Sequence, residues 1–264
     1  MNKAIIIVVV LVVVLTATLF LFARTEQTKI REGLVILSPL GNEEVSSPFI
    51  ARGYVNGNGW IGFEGQVGTA SLVLDGQVLT QTPLVAKGEW MTAGPINFEA
   101  VLDFQIAGTK DAVLLFRNED PSGGFPKEFS LPIKLKGIQG ETSVVSVYFL
   151  NEQDDCQPSS FVSRIIPKTQ AVARSALEEL LKGPTLSEKR MGFSTSINEL
   201  VEIQDLTIEN GTAKVDFSDE LEVAGGSCRV SAVRGQIVKT LEQFPSVSQV
   251  IISINGETET ILQP

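Results

Sequence analysis

Carboxylates and two cysteines are the side chains best suited to chemistry in this sequence, because none of its 264 residues is a histidine. Without imidazole the chain lacks Ser-His-Asp and Cys-His catalysis and histidine-ligated zinc, since no other side chain has an unperturbed pKa so near neutrality. Asn151-Glu152-Gln153-Asp154-Asp155 clusters the oxygen ligands a calcium ion takes. It lacks the alternating Asp-x-Asp-x-Asp-Gly spacing that converges them on one ion, so it reads as a solvated acidic loop after a strand. Glu64, Glu99 and Asp103 are the candidates for an acid pair of the glycoside-hydrolase kind. Strand alternation alone, however, sends polar residues outward. Gly225-Gly226-Ser227 before a helix resembles an anion-binding helix start but has no phosphate-loop lysine, and reads as helix entry with Ser227 as N-cap. Asn210-Gly211-Thr212 fits a glycosylation acceptor, although hairpin chemistry accounts for Asn-Gly by itself. Tyr54, Trp60 and Trp90 could form a carbohydrate- or peptide-binding platform. Trp60 lies in a loop with Gly57, Gly59 and Gly62, where exposure is open to it; core packing is the alternative. No catalytic residue, cofactor site or metal site follows from these patterns.

The elements that must carry such residues begin with an apolar block. Ala4–Ala23 holds no charge and only two hydroxyls, Thr16 and Thr18. At about 1.5 Å per residue it spans about 30 Å, the thickness of a bilayer's hydrocarbon core. A cleaved signal peptide is the other reading, but its apolar run is usually about 7–15 residues and ends in a small-x-small site. Here the run ends Leu21-Phe22-Ala23 and no lipid-accepting cysteine follows. Residues 1–23 are therefore expected to form a retained transmembrane helix, and the charged residues 24–32 a stalk. Arg24, Lys29 and Arg31 outnumber Lys3, so a count of basic residues alone would hold the domains in the cytoplasm. A three-residue leader holds no domain, and the cysteines and the family likeness below favour a single-pass protein with its domains outside. A net charge of −10 disfavours nucleic acid as a partner.

Residues 33–136 read as an all-β domain of roughly seven strands. Short apolar runs (34–37, 49–55, 70–74, 77–79, 98–106, 112–116 and 129–135) alternate with glycine, proline and acidic turns. Asp75-Gly76 is a two-residue hairpin signal, and Asp120-Pro121-Ser122-Gly123 a second turn. This is the text of a β-sandwich. Residues 137–143 are polar with two glycines and read as a linker. From 144 to 264 the texture is α+β. A strand at 144–150 precedes an amphipathic helix at 170–182, with Ala173, Ala176, Leu177, Leu180 and Leu181 on one face and Arg174, Glu178 and Glu179 on the other. Gly183-Pro184 stops it. A hairpin across Asn210-Gly211 pairs Ile208 with Ala213 and Leu206 with Val215. A second helix at 228–244 and a strand at 249–254 complete the order βαββαβ, a split βαβ arrangement with helices on one face of a mixed sheet.

These residues carry a family likeness. Val147-Tyr148-Phe149, the run Ala176-Leu177-Glu178-Glu179-Leu180-Leu181-Lys182-Gly183-Pro184-Thr185, then Gly211-Thr212-Ala213-Lys214-Val215-Asp216-Phe217, Gly225-Gly226-Ser227 and Gln243-Phe244-Pro245-Ser246-Val247 resemble the GerMN domain of bacterial sporulation and germination proteins. Residues 33–136 look like the immunoglobulin-like domain of bacterial spore germination, through Ser38-Pro39, Ser47-Pro48, Phe63-Glu64-Gly65 and Asp120-Pro121-Ser122-Gly123. The resemblance implies an exported, envelope-attached protein of a fold similar to ring-building modules, without catalytic residues. The expected partners are the membrane, through the N-terminal helix, and an envelope protein or cell-wall polymer, with self-assembly a further mode. The runner-up is a cell-wall-directed hydrolase or its carbohydrate-binding accessory. The chain lacks the lipid-attachment cysteine and the paired domains typical of the sporulation proteins. Cys156 and Cys228, the only two cysteines, meet an oxidising environment if the chain is exported, and a disulfide between them is expected. Two small buried thiols, or a thiol activated at the helix start, are the other readings.

Overall fold

The computed structural model describes residues 33–119, 126–222 and 225–263. The expected anchor at 1–23, the stalk and the turn at 120–123 lie outside the described residues. Among the described residues, no helix is long and apolar enough to cross a membrane. The described chain divides into two compact units. One takes in the residues up to Phe104 together with Lys110–Lys136; the other takes in Gln105–Thr109 and the residues from Gly137 onward.

The first unit is all β: β1 (Leu34–Ser38), β2 (Glu44–Ser46), β3 (Phe49–Val55), β4 (Gln66–Leu74), β5 (Gln77–Lys87), β6 (Ile96–Leu102), β7 (Thr109–Asn118) and β8 (Glu128–Lys136). They form one sheet in the order β1-β3-β6-β5-β4-β7-β8-β2. Alternation decides the faces: Phe49, Ala51, Gly53 and Val55 of β3 and Ile96, Phe98, Ala100 and Leu102 of β6 are buried, their neighbours not. Gly53 is required, because a Cβ there would lie 2.1 Å from the Val35 carbonyl oxygen and 2.8 Å from the Phe98 ring. β5 joins two parts of the sheet. Its long first part pairs with β4, and Val85–Lys87 pair with β6. Two strands separate β6 from β7 in the sheet order, yet Phe98 and Phe116 meet with ring centroids 6.4 Å apart, and Phe129 of β8 sits 6.1 Å from Phe116. The sheet therefore curls back on itself around these rings, of which the fully buried Phe98 and Phe116 each contribute on the order of 2 kcal/mol. Asp75 (φ 49°) and Gly76 (φ 79°) make the expected tight turn. The short β2, parallel to β8, is one strand more than the apolar runs indicate.

The second unit contains β9 (Thr142–Phe149), β10 (Ser160–Pro167), α1 (Val172–Leu181), α2 (Leu186–Arg190), β11 (Ile203–Glu209), β12 (Thr212–Phe217), a 3-10 turn at Asp219–Leu221, α3 (Ser227–Glu242) and β13 (Gln249–Ile254). The register foreseen for the hairpin holds: Leu206 faces Val215 and Ile208 faces Ala213, across Asn210 and Gly211 at φ 50° and 82°. β13 pairs parallel to β12. The order βαββαβ needs correction in two places. A strand, β10, pairs antiparallel with β9 along its whole length, and a one-turn helix, α2, follows α1. The strands also form a two-stranded and a three-stranded sheet instead of one mixed sheet. β10 hides in the sequence because its inward positions are Val162, Arg164 and Ile166; a charge in the middle breaks the apolar alternation that marks a strand. The separation of the sheets has a visible cause. The edge of β9 away from β10 is occupied by α3: the Ser146 N–H donates to Gln243 Oε1 at 2.7 Å, Gln243 Nε2 donates to the Ser146 carbonyl at 2.7 Å, and the Tyr148 N–H donates to Thr240 Oγ1 at 3.2 Å. Side chains of a helix thus take the place of a neighbouring strand. One core, with Val147, Phe149, Leu177, Leu180, Phe217, Val233 and Ile237 at its centre, joins both sheets to α1 and α3.

Candidate functional site

The aromatic residues separate. Trp60 is only 4% exposed and belongs to the core of the first unit. That decides the two open readings of Trp60 in favour of core packing. The glycines act there by letting backbone approach: a Cβ on Gly62 would meet the Trp90 carbonyl oxygen at 2.7 Å, and one on Gly33 would meet the Gly57 carbonyl oxygen at 2.3 Å and the Trp60 ring at 3.0 Å. Trp90 is half-buried and lines, with Trp60, Ile61, Met91 and Ile96, a groove of about 460 Å³. Tyr54 does not line this groove. Its place in β3 is on the face that carries Arg52, opposite Val55. The structure brings two of the three aromatic candidates together, with one of them in the core.

The carboxylate candidates are accounted for by local structure. Glu64, at φ 48°, occupies an exposed turn closed by paired hydrogen bonds between Phe63 and Gln66. Glu99 accepts from Arg52 Nε at 2.8 Å and pairs with Lys87 Nζ at 3.0 Å. Arg52 first, then Lys87, hold its carboxyl below the ordinary range, whereas a general acid needs the opposite. Asp103 is buried and is not without a partner. In the acidic loop, Asp154 accepts from the backbone of Asn151 at 2.8 Å and of Ser159 at 3.2 Å, and from the Ser159 hydroxyl. Burial pushes this carboxyl up, but the donors from Ser159 and Asn151 outweigh it, and the net direction is down. The loop is thus tied by its own aspartate. Among the described residues, no group of three or more carboxylate or cysteine ligands is placed to hold a metal. Ser227 is the first residue of α3 and not its cap; Gly226 holds the cap position without a side-chain bond.

A charge cluster that sequence reasoning missed lies in the second unit. Arg164 is 3% exposed, donates through Nη1 and Nη2 to the two carboxylate oxygens of Glu188, lies 3.5 Å from Glu179, and has its guanidinium 5.8 Å from the Phe149 ring centroid. Glu179, assigned by periodicity to the polar face of α1, is buried here and also pairs with Lys182 Nζ at 2.5 Å. The cluster explains the run Leu180–Thr185. Gly183 (φ 72°) closes α1 with its N–H on the Leu180 carbonyl. Thr185 caps α2 in a capping box with Glu188, and Glu188 is the residue that clamps Arg164. The sequence signal was available as Thr-x-x-Glu after a helix stop. Beside this corner, Lys182, Pro184, Lys189, Phe193, Thr195 and Asn198 line a cavity of about 490 Å³. Deeper in, Gln236 donates to Thr195 Oγ1 at 3.3 Å and its Oε1 is buried without a partner.

The two cysteines meet. Cys156, in the loop between β9 and β10, is bonded to Cys228 in the first turn of α3, with Cα atoms 4.9 Å apart across a sequence separation of 72. Loop and helix start converge because Gln157 and Pro158 pack on Gly235 about two turns further along α3, where a Cβ would come within 2.3 Å of Gln157 Oε1.

The second unit, with helices packed on a divided sheet and a cross-link from an inter-strand loop to a helix start, defines a small α+β module with a buried charge cluster at one corner. Residues 146–260 match the family described as Germane, sporulation and spore germination, and the second unit is a domain of the GerMN type. Over 157 residues the chain is 30% identical to the spore germination protein GerM of Bacillus subtilis (strain 168), covering 54% of this chain and 42% of that protein. The chain thus spans less than half the length of this curated relative. Among solved structures it is similar to the first GerMN domain of the sporulation protein GerM from Bacillus subtilis, with 24% identity, 44% of this chain and 86% of that chain covered, and a TM-score of 0.35. The tandem GerMN domains of the same protein give 19% identity, 47% and 43% coverage, and a TM-score of 0.37.

Proposed function

We propose that this is a membrane-anchored, extracytoplasmic protein that works by binding or assembly at the bacterial cell envelope, in sporulation or germination, without catalysis. The observation that carries this reading is the family match over residues 146–260. The Cys156–Cys228 disulfide supports an oxidising compartment, and the apolar block 4–23 supplies a segment of membrane-spanning length. The first unit, a curled all-β sheet, is read as immunoglobulin-like and as a spacer or binding module between anchor and GerMN domain. The electrostatics speak against a general acid among the carboxylates whose shifts are resolved. Glu99, Asp154 and Glu220 shift downward, which keeps them ionised, and the buried pair of Arg164 and Glu188 is committed to itself.

Protease added to cells whose outer layers admit it is expected to digest residues 34–264, and cross-linking in intact envelopes to recover a protein or wall-polymer partner. Full protection of the domains in cells shown to admit the protease overturns the orientation. A turnover of peptidoglycan or ester substrates that one substitution abolishes, such as Glu64→Gln, overturns the non-catalytic reading.

A further inference from the structure

The groove of the first unit lies where the chain enters the described structure. Gly33 is the first described residue. Its carbonyl accepts the Asn56 N–H at 2.8 Å, and its Cα side abuts the Gly57 carbonyl and the Trp60 ring. Only nine residues, 24–32, separate it from the apolar block ending at Ala23. Fully extended, they reach about 30 Å. The same end of the unit carries large apolar side chains in water: Met91 is 74% exposed, Ile61 48% and Phe63 42%. Ile61, Met91 and the half-buried Trp90 line the groove, and no Asp, Glu, Lys or Arg does. An uncharged, tryptophan-bearing rim of this kind is costly in water and matches the composition of the membrane interface, where amphipathic rings sit at headgroup level. The tether itself holds three basic residues, Arg24, Lys29 and Arg31, against Glu26 and Glu32, which suits an anionic lipid surface.

We propose that the rim formed by Ile61, Trp90 and Met91 docks on the surface of the bilayer that holds the N-terminal segment, so that the first unit lies against lipid instead of standing free on its stalk. The proposal rests on the reading of residues 4–23 as a membrane anchor. Its occupant is lipid, for two reasons on the chain itself: the short tether keeps the rim within reach of the bilayer at all times, and the groove offers no charge with which a polar ligand would be held.

The test uses the full chain reconstituted into phosphatidylcholine–phosphatidylglycerol vesicles, with and without bromine on the upper acyl chain. Trp60 and Trp90 are the only tryptophans and Trp60 is in the core, so the difference between wild type and Trp90→Phe isolates the Trp90 emission. The expected result is loss of most of that emission in brominated vesicles, with the Trp60 contribution retained, and recovery in Met91→Glu and Ile61→Glu, both at exposed positions. Wild-type quenching is read independently of whether either variant folds. Unquenched Trp90 in a chain that floats with the vesicles after alkaline carbonate overturns the docking and leaves the anchor standing. A chain that fails to float removes the anchor reading, and the docking with it. A photo-cross-linker at position 91 that yields a dimer and no lipid adduct assigns the rim to a second copy and overturns the proposal.

Discussion

Arg164→Met removes the cation from a pocket in which two carboxylates are nearly as buried as it is. The side chains of Arg164, Glu188 and Glu179 are 3%, 9% and 10% exposed. Methionine keeps much of the volume over Phe149. Glu179 keeps Lys182, but Glu188 loses the guanidinium that clamps both its oxygens and stays where α2 and its capping box hold it. Breaking a buried pair from one side costs about 3–5 kcal/mol, most of it the desolvation of the orphaned charge. With a urea m-value of about 2 kcal/mol/M, the unfolding midpoint of the second unit drops by about 2 M. The two units can be read separately in the full chain. Both tryptophans are in the first unit and every helix among the described residues is in the second, so ellipticity at 222 nm should move and tryptophan emission should not. Glu188→Gln keeps an N3 side chain able to serve the capping box and leaves Arg164 with Glu179. It should cost less than Arg164→Met, and the double variant should cost less than the sum. A loss below about 1 kcal/mol for Arg164→Met, or additive single variants, would refute the view that this pair is a desolvated, mutually dependent unit.

Three further outcomes are expected. Cys156→Ala with Cys228→Ala should lower the stability of the second unit by about 4 kcal/mol on loop-closure entropy alone, less any strain released, and thiol titration of unreduced, denatured wild type should find none free. Gly62→Ala places a Cβ 2.7 Å from the Trp90 carbonyl oxygen; it should destabilise the first unit by about 1–3 kcal/mol and red-shift its tryptophan emission, with the 222 nm transition unmoved. The folded-state pKa of Asp154 is depressed from 3.8, so its contribution is present above that value and is lost as pH falls through the lower folded value. Proteolytic nicking in 151–159 should therefore increase below about pH 4 in wild type, and Asp154→Asn should show it already at neutral pH.

Local chemistry was legible and long-range compensation was not. Asn210-Gly211 and Asp75-Gly76 fix their hairpins because positive φ at both central positions is a local demand, and the register of β11 on β12 follows from it. α1 ends where Gly183 and Pro184 require. β10 escapes notice because Arg164 occupies an inward position, and nothing within seven residues of it reveals that Glu188 and Glu179 will neutralise it. Glu179 misleads for the same reason. Trp60 was undecided because a glycine-rich segment serves equally for display and for close approach; the distances from Gly33 and Gly62 to their neighbours decide it, and those neighbours come from β-strands and loops remote in sequence. The disulfide was within reach because two cysteines allow one pairing. The loop glutamine and proline that bring Cys156 to α3 carry no sequence signal of that contact.

The side-chain cover on β9 has a consequence for hydrogen exchange. The amides of Ser146 and Tyr148 donate to Gln243 and Thr240 and to no backbone group, so their protection depends on α3 staying docked, whatever the state of the β9–β10 ladder. The alternate amides along β9 that face β10 depend on the ladder instead. A single strand thus carries two interleaved reporters. If α3 lifts as a unit, Ser146 and Tyr148 exchange with it while Val147 between them stays protected, and the order in which the domain opens can be read from one eight-residue segment.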